Sequence, residues 1–169
     1  MTLFESVLLG IFQGFTEFLP ISSSGHLLLL QSLLGMKNLE EYIFFNLMCH
    51  LGTLLSVITI YFKEINLILF KNRERLFQII LATLPLFPLI LLMKEIKNIY
   101  NSPEFLWIFF LITAFILTVG IKFGKTKEES SIRKTKWRDP IIIGCFQALA
   151  IFPGVSRSGT TISIAKLKT

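Results

Sequence analysis

Three uninterrupted apolar runs, each about as long as a bilayer is thick, leave this chain few folds to choose from. Residues 42–62, 76–93 and 105–123 are apolar all round rather than along one stripe. Crossing a hydrocarbon layer of roughly 30 Å takes a helix of about 20 residues. A soluble domain of this length would instead show helices with one polar face, because most of its helices must meet water. Charged residues are 17% of the chain against 53% hydrophobic, and they gather in short runs between the apolar stretches. We therefore expect an all-α integral membrane protein, a polytopic helical bundle forming a single membrane domain over residues 1–169.

The net charge of +6 does not point to nucleic acid, because the basic residues sit in loops beside the spans. One such loop carries Lys63, Lys71, Arg73 and Arg75; another, residues 125–139, carries Lys125, Lys127, Arg133, Lys134, Lys136 and Arg138. Two spans separate these loops, so both lie on one side, and Lys/Arg enrichment marks that side as cytoplasmic. The other side holds residues 36–41 and 94–104, with only Lys37, Lys94 and Lys97, and the pair Glu40 and Glu41 reads as a solvated loop. Pro85 and Pro88 should kink the middle span. Cys49 and Cys145 lie in apolar surroundings without ligand spacing and read as small buried hydrophobes. No Lys or Arg precedes Lys37, so a cleaved signal peptide is not expected.

Residues 3–34 behave differently. The stretch is apolar at both ends but interrupted by Pro20, Ile21, Ser22, Ser23, Ser24 and Gly25, with Glu17 and His26 flanking the break. Backbone freed at membrane depth is tolerated only inside protein or around a wet cavity. A re-entrant hairpin fits, and a single kinked span is the competing geometry. The pattern then recurs: GIFQGFTEFLPISSSG from Gly10 to Gly25 aligns without gaps on GCFQALAIFPGVSRSG from Gly144 to Gly159, identical at seven of sixteen positions. Three spans separate the copies, so the second should enter from the opposite face as an inverted-topology repeat. Such folds place their site where the two breaks meet. Residues 1–124 form the first repeat and residues 140–169 begin the second. Only TISIAKLKT follows Thr160, so the second repeat reads as incomplete, a fragment or a truncated product.

The breaks carry the chemistry. Glu17 is an ionisable group in an apolar segment, which makes function the default reading. Gln13 lies one helical turn earlier on the same face. Together they could hold a divalent cation with its waters or steer a water toward phosphorus; alternatively Glu17 salt-bridges Arg157 or bonds Thr16 to hold the hairpin shut. Ser22, Ser23 and Ser24 precede a helix expected to begin at His26 or just before it, where hydroxyls and backbone N–H groups make an anion site. His26 has the spacing to reach the Ser23 hydroxyl, and the alternative is a serine N-cap with a packed histidine. Arg157, flanked by Ser156 and Ser158 and followed by Thr160 and Thr161, has the planar fork that suits a phosphate. His50, alone in a span, is a secondary candidate.

These residues resemble the undecaprenyl-diphosphate phosphatase (BacA/UppP) family. QGFTEFLPISSSGH, Gln13 to His26, is similar to its acidic and serine-histidine motifs, and PGVSRSGTT, Pro153 to Thr161, to its second motif; FNLMCHLGTLLSV and ILATLP resemble its intervening helices. The resemblance covers essentially the whole chain. It implies dephosphorylation of undecaprenyl diphosphate, recycling the carrier lipid for peptidoglycan synthesis and conferring bacitracin resistance, in the bacterial inner membrane with the site facing the periplasm. By the same resemblance Glu17, Ser23, His26 and Arg157 are catalytic, and Gln13, Ser22, Ser24, Gly154, Ser156, Ser158 and Thr161 bind substrate. A divalent cation, Mg2+ or Ca2+, would be held by Glu17 and Gln13. The partners implied are the polyprenyl diphosphate and membrane lipid, with a homodimer left open. A transporter or flippase for a lipid phosphate, and an inactive fragment, are the alternatives. Family members continue through further helices where this sequence ends at Thr169.

Overall fold

The computed structural model describes residues 1–36, 39–92, 103–124 and 136–168, and among these residues all regular structure is helical. Helix α1 (Leu3–Glu17) starts on a reciprocal cap: Thr2 Oγ1 accepts from the Glu5 N–H at 3.3 Å and Glu5 Oε2 accepts from the Thr2 N–H at 2.6 Å. Helix α2 (Ser23–Leu33) follows the first break, and α3 (Ile43–Ile60), α4 (Phe62–Phe70) and α5 (Arg73–Thr83) follow in turn. A 3-10 segment, Leu84–Leu92, continues α5. Beyond it come α6 (Leu106–Phe123), α7 (Arg138–Ala148) with a short 3-10 turn, Leu149–Ile151, and α8 (Arg157–Lys168).

The molecule is apolar outside and largely polar within. Phe44, Leu54, Trp107, Phe115 and Ile121 are all more than half exposed, while Gln13, Thr16, Ser22, Gln31, Thr113, Ser156, Thr160 and Ser163 are buried. Water would penalise that surface heavily, whereas lipid does not. Helices α3 and α6, of mean hydropathy 1.9 and 2.2, are long and apolar enough to cross a bilayer. The chain is a helical membrane protein.

Two local outcomes differ from the sequence expectation, one through side-chain composition and one through the backbone. Residues 63–75, read as a loop, contain all but the first residue of α4 and the start of α5. The charges Lys63 and Glu64 occupy only the first turn of α4, and the rest, Ile65 to Phe70, is mostly apolar. The expected span over 76–93 is α-helical to Thr83 and then tightens to 3-10 geometry, with Pro88 inside it. Pro85 and Pro88 have no N–H to give a carbonyl four residues back, so the segment loses its α-ladder there. Residues 125–135 of the basic loop, with Lys37, Lys94 and Lys97, lie outside the described residues.

Packing centres on two groups of helices joined through α6. Leu9, Leu27 and Met36 form a small core under α1 and α2. Helix α3 is tied to α2 by a two-way amide clamp, Gln31 Nε2 to Asn46 Oδ1 at 2.7 Å and Asn46 Nδ2 to Gln31 Oε1 at 3.3 Å. Interhelical amide bonds of this kind hold helices together where lipid removes the hydrophobic drive. Helix α6 meets α2 through Leu106 and Leu28 and packs along α8, which also packs on α7.

Candidate functional site at the two helix breaks

The second helix of each broken pair begins at the aligned residue, Ser23 in the first copy and Arg157 in the second. The two breaks touch. The Gly154 N–H donates to Ser22 Oγ at 3.0 Å, and the Ser158 hydroxyl donates to the Leu19 carbonyl at 3.4 Å. Backbone meets backbone at Gly25, where an added Cβ would lie 2.6 Å from Gly154 N. Gly154 itself has φ +99, a conformation that other residues rarely adopt. Ser22 is held at φ 69, left-handed and unfavourable for a serine, and its hydroxyl bond to Gly154 fixes it there.

On the first break, three elements converge on one carboxylate. Glu17, the last residue of α1, accepts at Oε2 from the Ser23 hydroxyl at 2.6 Å and from Gln13 Nε2 at 2.6 Å. Gln13 Nε2 also lies 2.6 Å from His50 Nδ1 on α3, and His50 Nδ1 is 3.4 Å from Glu17 Oε2. Gln13 is fully buried, and its Oε1 has no hydrogen-bond partner among the described residues. A serine hydroxyl bonded to a carboxylate at the start of a helix has the geometry that nucleophilic catalysis uses.

His26 lies elsewhere than expected. Its Nδ1 is 2.9 Å from the Ser22 carbonyl and its ring meets Phe110 edge-on at 4.7 Å, whereas the Ser23 hydroxyl goes to Glu17. A carbonyl only accepts, so His26 Nδ1 carries the hydrogen and Nε2 is the nitrogen left to exchange a proton. The expected start of α2 near His26 is likewise corrected to Ser23, which puts Ser24 and Gly25 in the first turn.

On the second break, the hydroxyls serve the backbone. Ser156 Oγ accepts from the Gly159 N–H at 3.1 Å and sits 3.3 Å from Ser158 Oγ, which makes Ser156 the N-cap of α8. The Thr161 hydroxyl donates to the Arg157 carbonyl at 2.9 Å and so faces its own helix. Arg157 is exposed and forms no ion pair with Glu17 among the described residues. It lines a cavity of about 250 Å³ with Gln147, Leu86, Phe87, Leu89 and Ile151.

Thr113, on α6, escaped the sequence reading. Its hydroxyl donates to the Gly154 carbonyl at 2.7 Å and accepts from the Ser156 N–H at 3.0 Å, so one side chain clamps both ends of the second break. A threonine inside an apolar span ordinarily bonds its own helix, and nothing in its spacing distinguishes this one. Thr113→Val should lower stability by about 2–4 kcal/mol, since two buried backbone groups lose their partner. Thr113→Ser should keep most of that stability, as thermal unfolding in detergent would show.

Broken helices that meet around a carboxylate–serine pair, inside a bundle with an apolar exterior, define a helical membrane protein with a polar centre at its helix breaks. The chain belongs to the family described as bacitracin resistance protein BacA, whose sequence model matches residues 6–168. It is similar to the undecaprenyl-diphosphatase of Protochlamydia amoebophila (strain UWE25), 48% identical over 99% of this chain and 63% of that protein. It is also similar to the undecaprenyl-diphosphatases of Alkaliphilus metalliredigens (strain QYMF), 38% identical over 96% of this chain and 65% of the relative, and of Sulfurihydrogenibium sp. (strain YO3AOP1), 38% identical over 96% and 63%. The chain thus spans a little under two thirds of the length of these curated relatives.

Proposed function

We propose that this chain carries the catalytic centre of an undecaprenyl-diphosphate phosphatase, which converts undecaprenyl diphosphate to undecaprenyl phosphate and inorganic phosphate. The observation that carries the reading is the 2.6 Å bond from the Ser23 hydroxyl to Glu17 Oε2, set against a break that bears Arg157. The names of the similar proteins support the substrate. In this reading the Ser23 oxygen attacks the terminal phosphorus, Glu17 takes the hydroxyl proton, and undecaprenyl phosphate leaves. Water then cleaves the phosphoserine, and His26 Nε2 exchanges the proton that this step requires.

Arg157 neutralises the phosphate, and the apolar wall of its cavity receives the adjoining prenyl chain. Leu86, Phe87, Leu89 and Ile151 offer no polar side chain, so a lipid tail would lie there without stranding a hydrogen-bonding group.

The donor set tests the expected cation. Among the described residues no three His, Cys, Asp or Glu side chains converge, and Gln13 turns its N–H rather than its oxygen toward Glu17. One carboxylate with the neighbouring Ser23 hydroxyl suits Mg2+, which keeps its waters and is shared with substrate phosphate, better than a dedicated protein cage. Glu17 and Ser23 would hold it, with Gln13 dropping out of the ligand set. When bound, the cation offsets charge on the phosphoryl group.

The inverted-repeat reading has its own support. Gly25 and Gly159 are aligned, as are Pro20 and Gly154. An added Cβ on Gly25 meets Gly154, and one on Gly159 meets the Pro20 carbonyl at 3.0 Å. Exchanging the copies exchanges these two contacts, as an isologous two-fold relation requires. We accordingly place α1–α2 and α7–α8 as two re-entrant hairpins of a multi-pass protein of the bacterial inner membrane, their shared centre open to the periplasm.

Arg157 provides the test of the phosphate site. Arg157→Ala should lower kcat/KM for undecaprenyl diphosphate by about a hundredfold or more, and Arg157→Lys should recover only part, because a point charge lacks the planar fork. Unchanged kcat/KM in Arg157→Ala would remove this residue from the mechanism.

A further inference from the structure

We infer that His50 is a positioning residue for the Glu17–Ser23 pair, acting through Gln13; the inference rests on the phosphatase reading above. The carboxylate fixes the direction of one bond, and the His50 tautomer sets the other. Glu17, as a carboxylate, only accepts, so Gln13 must offer it an N–H, and the bond measures 2.6 Å. The same Nε2 lies 2.6 Å from His50 Nδ1. With the ring hydrogen on Nε2, Nδ1 accepts the second hydrogen of the same amide. One amide nitrogen thus bridges His50 Nδ1 and Glu17 Oε2, which are 3.4 Å apart.

His50 is what keeps the amide in this orientation. Gln13 Oε1 is buried and has no hydrogen-bond partner among the described residues, so the oxygen side of the amide gives no directional hold there. Without an acceptor at Nδ1 the amide can turn, Glu17 loses a donor, and its carboxylate is free to swing off Ser23. His50 is itself placed by the helix: the Thr53 hydroxyl donates to its carbonyl at 2.9 Å, and Thr53 is buried. Helix α3 thereby reaches across from a spanning segment to set the angle of a base on α1.

The test compares two substitutions that differ in one respect. His50→Asn keeps an acceptor at the position of Nδ1, one bond beyond Cγ; His50→Leu keeps bulk and removes the acceptor. With undecaprenyl diphosphate and the purified chain, His50→Leu should lower kcat about tenfold with KM little changed, and His50→Asn should stay within about threefold of the parent. Equal behaviour of the two variants, whether both active or both impaired, would overturn the inference. A second readout does not need turnover. In 15N-histidine-labelled protein, Gln13→Leu should move the His50 ring-nitrogen resonances and leave those of His26 in place. An unmoved His50 signal would overturn the contact. No phosphate release from the parent chain, with the His50 shift present, would refute the phosphatase reading and leave the Gln13–His50 contact standing.

Discussion

Glu17→Gln should reduce phosphate release from undecaprenyl diphosphate by about a thousandfold, since general-base assistance contributes roughly 10²–10⁴. The substitution keeps the side chain's length and volume, so α1 and its packing should persist. What changes is chemistry at one oxygen. Oε2 now accepts from Ser23 and Gln13, and a carboxamide in its place has almost no basicity to draw off the serine proton. The loss should appear in kcat, because Glu17 acts on the attacking oxygen, with a further rise in KM to the extent that it also holds a cation shared with the substrate phosphate. Ser23→Ala should produce a loss of similar size, and the double variant little more than either alone, because the two groups act as a unit. Additive losses would show that they act separately.

Gly25→Ala should cost on the order of a hundredfold in rate although it touches no functional side chain. A methyl at this position would lie 2.6 Å from Gly154 N and 2.7 Å from Gly154 Cα, both backbone atoms. The breaks must then part, at a cost of about 1–3 kcal/mol from overpacking. Parting them stretches the Gly154 N–H bond to Ser22 Oγ and moves Arg157 relative to Ser23. Misplacement of about 1 Å between reacting groups can cost on the order of a hundredfold in rate. Gly14→Ala is the control, because nothing lies within 4 Å of the added carbon. It should leave activity intact and raise stability slightly, by about 0.5–1 kcal/mol for a helix-interior glycine.

The parts of this molecule that composition governs were open to reading from sequence. Residues 42–62 and 105–123 contain α3 and α6 because a long apolar run in lipid has one way to satisfy its backbone. The two breaks were visible as Pro, Ser and Gly clusters, and Glu17, Ser23 and Arg157 stood out as polar groups in apolar surroundings. Side-chain partners were harder, since they depend on which helices approach. His50 pairs with Gln13 across 37 residues, and no local spacing marks that pair. Ser156 reads in sequence as a phosphate ligand, and its hydroxyl also caps α8, a partner that spacing alone does not reveal because a serine before a helix suits either role. The prolines at 85 and 88 announced a disturbance, but whether a chain kinks or tightens into 3-10 form is decided by its neighbours.

Whether Glu17 and Ser23 form a working phosphatase centre is decided by one measurement, release of inorganic phosphate from undecaprenyl diphosphate by the purified 169-residue chain in detergent. It should be made with magnesium, with chelator, and beside Glu17→Ala. Phosphate should appear with magnesium and be lost both with chelator and in the variant. Release that persists without the metal and without Glu17 would contradict the account, and so would a folded chain that binds undecaprenyl diphosphate and releases none.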